Sequence, residues 1–100
     1  MKNGEILNAG QTDSPLFEVF LYGDRVLTEK FSKRLSCALK HLPLRLKLHY
    51  VHDTDKAVEA GIAADPTLVL NGKIFLEGLV QAEEITAAFK SLLADKEAIR

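Results

Sequence analysis

The stretch Asp65-Pro66-Thr67-Leu68-Val69-Leu70-Asn71-Gly72-Lys73-Ile74-Phe75-Leu76-Glu77-Gly78 decides the fold of this chain. Asn71-Gly72 separates two apolar runs, and this pair favours a tight hairpin turn because both of its residues tolerate a positive φ angle. Pro66 has no backbone N–H group, so it marks the start of a strand. The bond before it can be cis or trans at a cost of about 0.5–1 kcal/mol, and this choice stays open. The stretch therefore predicts an antiparallel β-hairpin led by proline.

Length and composition favour a single soluble domain. The chain has 100 residues, 47% of them hydrophobic, with a net charge of −1. This charge balance argues against a nucleic-acid partner, and the lack of a long apolar run argues against a membrane span. The single cysteine excludes an internal disulfide and fits a reducing compartment. With no signal-peptide pattern at the N-terminus, we expect a cytoplasmic protein.

The flanking segments differ in composition from the middle of the chain. Residues 1–15 are rich in Gly, Asn and other small polar residues, which predicts a flexible N-terminal arm. Residues 16–94 carry the periodic apolar patterns of a folded domain. Residues 95–100 are mostly polar, and we expect this C-terminal end to fray.

The middle of the chain alternates between strand and helix patterns. Aromatic and β-branched residues predict a central strand at Leu16–Tyr22. Apolar residues at helical spacing predict a helix over residues 28–42, with Thr28 as its N-cap. Residues 44–51 alternate apolar and basic, which predicts an edge strand. A short helix capped by Asp53, with Val58 among its inward-facing residues, and a last helix over residues 81–93 complete the chain.

This order resembles the thioredoxin fold over residues 16–93. The most specific part is Gly61-Ile62-Ala63-Ala64-Asp65-Pro66-Thr67-Leu68-Val69-Leu70-Asn71-Gly72-Lys73, which is similar to the family's segment around its cis-proline. The resemblance implies an α/β fold of the β-α-β-α-β-β-α kind, with helices on both faces of a four-stranded mixed sheet in the order 2-1-3-4. It also implies that Pro66 is cis and lies beside the start of the first helix.

The chain departs from the redox-active members of this family at their reactive site. Those members carry Cys-x-x-Cys between the first strand and the first helix, where this chain reads Gly23-Asp24-Arg25-Val26-Leu27-Thr28. Dithiol chemistry needs a thiolate and a second thiol that resolves the mixed disulfide. Because both thiols are absent, the sequence argues against dithiol oxidoreductase activity, and we predict a domain that works by binding.

The resemblance also indicates where a partner would bind. In the family, the backbone before the cis-proline pairs with an extended peptide, a form of strand addition. We therefore expect a protein or peptide partner at a site where two segments of the chain converge. An alternative is that Val26 and Leu27 only fill the space of a lost active site while Arg25 is solvated. The expected site residues are Asp24, Arg25, Val26, Leu27, Thr28, Asp65, Pro66 and Thr67.

Other candidate sites carry weaker signals. Cys37 lies too far along the first helix to replace the family's reactive thiol, yet a single-cysteine redox or peroxide-responsive protein is an alternative function. His41, His49 and His52 do not complete a metal-binding pattern, and we expect no metal and no cofactor. Glutathione binding at the last helix is disfavoured by Glu83 and Glu84. Self-association through edge strands or apolar surface is a third alternative.

Overall fold

The computed structural model describes residues 4–98, with side chains described through residue 95. The parts of the predicted arm and frayed end at residues 1–3 and 99–100 lie outside the described residues. The elements, in chain order, are β1 (Glu5–Leu7), β2 (Leu16–Tyr22), α1 (Arg25–Leu39), β3 (Arg45–Val51), α2 (Thr54–Glu59), β4 (Thr67–Leu70), β5 (Lys73–Glu77) and α3 (Ala82–Ala98).

The sheet is mixed and has five strands in the order β1-β3-β2-β4-β5. β2 and β3 are parallel, as expected for strands joined by a helix, and the other neighbouring pairs are antiparallel. The predicted sheet of four strands in the order 2-1-3-4 is therefore wrong in strand number. When β1 is set aside, the remaining strands follow the predicted order.

The additional strand β1 lies within the segment that the sequence marked as an arm. It spans only three residues, too few for an alternating pattern to be recognised among the glycine and asparagine around it. β1 pairs antiparallel with β3, with Ile6 opposite Lys47. β3 is consequently an interior strand rather than the predicted edge strand, although its leucines do face the core.

The predicted antiparallel hairpin around Asn71-Gly72 is confirmed. β4 and β5 pair antiparallel around Asn71 and Gly72, whose φ angles are +54° and +75°. Both angles lie in the left-handed region that a tight hairpin turn requires. The Asp65–Pro66 peptide bond that precedes β4 is cis.

The helix boundaries differ from those that the sequence predicts. α1 begins at Arg25 with Asp24 as its N-cap, so Thr28 lies inside the helix. The α1 prediction missed Asp24, which is at least as good a capping residue as Thr. α2 keeps the predicted cap at Asp53 but ends at Glu59, shortly before Gly61 with its positive φ angle. α3 extends to Ala98, and all of residues 94–98 except Asp95 are good helix formers.

The hydrophobic core lies between the sheet and the helices α1 and α3. Phe31 and Leu35 of α1 and Phe89 of α3 are fully buried against inward-facing side chains of the strands. The opposite face is only partly covered, because α2 is short and lies near the carboxyl ends of β2 and β3. Within residues 4–98, no helix combines the length and apolar character needed to cross a membrane.

Candidate binding cleft

The junction between β2 and α1 is tied to the segment that precedes β4. Asp24 caps α1, since its Oδ1 accepts a hydrogen bond of 2.8 Å from the Leu27 N–H group. The backbone N–H of Asp24 in turn donates to the Asp65 carboxylate, at 3.2 and 3.4 Å from its two oxygens. A side chain from the distant Asp65 therefore fixes the loop at which helix α1 begins.

Gly23 lets the two segments approach each other closely. Its φ angle of +147° favours glycine, and a Cβ atom added there would lie 3.2 Å from the Pro66 Cα and would collide with the Asp65 carboxylate. Pro66 is buried at this contact. The start of α1 and the Asp65–Pro66 bond thus share one site.

Two buried threonines stabilise the loops of the site through hydrogen bonds to backbone carbonyl groups. The Thr28 hydroxyl donates to the Asp24 carbonyl oxygen at 2.9 Å, with the Arg25 carbonyl oxygen at 3.2 Å. The Thr67 hydroxyl donates to the Ala64 carbonyl oxygen at 2.8 Å. Both side chains are fully buried, so they support the loops without being exposed to a partner.

The remaining predicted residues lie on the first turn of α1. Arg25 and Val26 are exposed, with Val26 62% accessible, and Leu27 is half-buried. The structure therefore brings Asp24, Asp65 and Pro66 together. Arg25 and Val26 lie beside them and are exposed to solvent.

A cleft of about 220 Å³ opens beside Asp24 and Asp65. Its walls come from the ends of β2 and β3, from α2 and from the loop that leads to Pro66. Its lining is apolar with three carboxylates: Tyr22, Gly23, Asp24, Val51, His52, Asp53, Thr54, Ala57, Val58, Ile62, Ala63, Ala64 and Asp65. Among the residues that the structure describes, the lining includes acidic side chains but neither lysine nor arginine.

His52 is a cleft residue that the sequence did not identify as part of a binding site. Its Nδ1 lies 2.9 Å from the Gly23 carbonyl oxygen, and because that oxygen can only accept, Nδ1 carries the hydrogen. Val58, which is 70% exposed at the cleft, was predicted to face inward. The sequence shows only that His52 directly precedes the helix-capping residue Asp53. The fold is needed to show that the His52 side chain reaches Gly23.

The single cysteine lies away from the cleft, and the described histidines belong to no metal-binding group. Cys37 is exposed and lies twelve residues after Arg25, which is about 18 Å along the helix at 1.5 Å per residue. It is remote from Pro66 and from the cleft. Within the described residues, no group of three or more His, Cys, Asp or Glu side chains is arranged to hold a metal ion.

Comparison with known proteins gives one match. A family model described as a thioredoxin domain matches residues 28–90, which is more than half of the chain. No curated protein matches. No solved structure matches either.

Proposed function

The chain belongs to the thioredoxin domain family, and on that premise we propose that it binds an extended protein segment beside Pro66 without dithiol chemistry. The observation that carries this proposal is the tie between Asp65 and the Asp24 N–H group, which keeps Pro66 packed at the start of α1 next to an open cleft. The place where redox members carry two cysteines holds Arg25 and Thr28 instead. This combination supports a binding role for a site that has no thiol.

The lining of the cleft favours a basic partner segment. Asp24, Asp53 and Asp65 supply carboxylates, while Val58 and Ile62 supply an apolar wall. The side chains of lysine and arginine combine an aliphatic stem with a charged head, so they match both features at once. An acidic segment would place like charges together, which electrostatics disfavours. We therefore expect the bound segment to carry a lysine or arginine next to an apolar residue.

An array of extended peptides tests this specificity directly. Each peptide carries Lys, Glu or Ala at one central position within an otherwise identical apolar background, and binding of the full chain is measured by fluorescence polarisation. We expect the lysine peptides to bind best, with an affinity that falls as salt is raised because screening weakens the carboxylate contacts. Equal binding of lysine and glutamate peptides would contradict the basic specificity.

Matched variants locate the bound segment on the surface. Val58→Lys places a positive charge at the cleft, and because Val58 is 70% exposed the fold should tolerate it. We expect this variant to lose at least tenfold in affinity for the lysine peptide. Ile74→Lys, on the exposed part of β5 outside the cleft, is the control and should bind normally. If Val26→Lys lost affinity for the lysine peptide and Val58→Lys did not, the segment would instead bind at the first turn of α1.

The other functions that the sequence leaves open have less support. Cys37 is exposed but stands apart from the cleft, so a single-cysteine redox role gains nothing from the geometry. This role would regain support if the chain reduced insulin and Cys37→Ser abolished that activity. Cytoplasmic location stays part of the proposal, on the basis of the single cysteine.

A further inference from the structure

The segment of residues 4–8, here called the strap, is attached to the fold at two places. Its strand β1 pairs with β3 over three residue pairs, and the Gly4 N–H donates to the Leu48 carbonyl oxygen at 2.8 Å. Leu7 is 8% exposed and joins the core, whereas Ile6 is 39% exposed. The strap therefore buries one large apolar side chain.

The second attachment is the side-chain amide of Asn8. Its Nδ2 lies 2.9 Å from the Leu39 carbonyl oxygen, 3.0 Å from that of Leu42 and 2.8 Å from that of Leu44. Leu39 is the last residue of α1, and Leu42 and Leu44 lie in the turn after it. Two of these carbonyls also accept backbone hydrogen bonds, Leu39 from the Leu42 N–H and Leu42 from the Leu44 N–H, so the amide joins a turn that is already hydrogen-bonded. Asn8 thus fastens the strap to the end of α1.

The rest of the sheet does not depend on the strap. β3 pairs over its whole length of seven residues with β2 on its other side. Release of the strap would leave β3 in place, with its outer edge of N–H and C=O groups unpaired. An unpaired strand edge of this kind is a template for the addition of another strand.

We propose that the strap opens as a unit while the remaining domain stays folded, and that the uncovered β3 edge accepts the strap of a second copy. The strap contacts named above are made to β3, to the end of α1 with the turn after it, and to the core, so a strap from another copy can make the same contacts. Exchange of an identical element is a low-cost route to a dimer. This inference is independent of the proposed function of the cleft.

The length of the connecting segment is compatible with this exchange. The carbonyl oxygens of Ser14 and Pro15 accept hydrogen bonds from Arg45, so the free connection is residues 9–13. These five residues can span about 16 Å when extended at about 3.3 Å per residue. Within one copy, the strap lies two strand spacings from β2, which is about 9.6 Å. The connection is therefore longer than its own copy requires, which leaves length for the strap to reach another copy.

Hydrogen exchange tests whether the strap opens on its own. Asn8→Gly keeps the positive φ angle of +61° accessible and removes the amide, so strap opening should become roughly 5- to 30-fold more frequent. We expect the amides of residues 4–7 to exchange faster by that factor while those paired between β2 and β4 keep their rates. Asn8→Asp, which directs a carboxylate oxygen at three carbonyls, should have the larger effect. Equal acceleration in both regions would mean global unfolding and would overturn the proposal.

A designed disulfide tests the exchange between copies. Ile6→Cys and Lys47→Cys are placed on directly opposed residues of the two strands, in a Cys37→Ser background. Oxidation of dilute protein should give a monomer with an internal disulfide. Oxidation after incubation at high concentration should give an increasing fraction of covalent dimers on a non-reducing gel. Monomers alone at every concentration would refute strap exchange.

Discussion

At the scale of single residues, Gly23 is the position on which the contact between Pro66 and α1 depends most. Gly23→Ala introduces a Cβ atom that collides with the Asp65 carboxylate, in a backbone conformation that strains L-residues. We expect a loss of about 2–4 kcal/mol in the free energy of unfolding, measured by urea denaturation. Gly61→Ala is the control, because its φ angle of +75° is also strained but its surroundings are open. Similar losses in both variants would show that backbone strain alone is responsible.

The buried phenol of Tyr50 makes stability depend on alkaline pH. Burial raises the pKa of Tyr50 above 10.0, an effect that its hydrogen bond with Ser32 partly opposes and that Glu5 and Glu29 reinforce. Since the folded state holds the proton more tightly than the unfolded state, this stabilisation is complete below pH 10 and is lost as pH rises through the folded pKa. The fall in urea midpoint above pH 10 should therefore be smaller in Tyr50→Phe. Parallel pH profiles for the two proteins would contradict this assignment.

At the scale of secondary-structure elements, the sequence predicted turns and caps correctly where the residues at that position strongly prefer one local backbone conformation. The hairpin at Asn71-Gly72 and the N-cap at Asp53 were correctly predicted because turns and caps depend on local backbone geometry. β1 was missed because a strand of three residues is stabilised by pairing with β3 and by Asn8, which are long-range interactions. The start of α1 was misplaced because two capping residues, Asp24 and Thr28, compete for the same role.

The candidate site was only partly predictable for a similar reason. The convergence of Asp24 with Asp65 and Pro66 followed from the family resemblance and is seen in the structure. The cleft itself depends on how far the short helix α2 stands from β2 and β3, and no pattern in residues 52–64 encodes that distance. Val58 illustrates the difficulty, because a helical pattern cannot distinguish an apolar side chain in a core from one at an open cleft.

At the scale of the whole molecule, the fold places a helix N-terminus beside Pro66 but supplies no thiol there. Arg25 is exposed in the first turn of α1, and Thr28 is fully buried one turn later. Residues at this spacing have Cα atoms about 5 Å apart by helix geometry, within the range of roughly 4.4–6.8 Å that a disulfide allows. The position therefore has the geometry for a dithiol even though the sequence does not provide one.

The double variant Arg25→Cys, Thr28→Cys in a Cys37→Ser background tests whether the surrounding fold still supports redox chemistry. A helix N-terminus lowers the pKa of a nearby thiol, so the pair should form a reversible disulfide and accelerate insulin reduction, measured by turbidity with dithiothreitol as reductant. Lys33→Cys with Ser36→Cys is the control, because it sets the same spacing on exposed positions in the middle of α1. We expect the first pair to exceed the control at least tenfold. Equal rates would mean that proximity to the α1 N-terminus and Pro66 confers no advantage, and that this chain has lost more of the redox architecture than its two thiols.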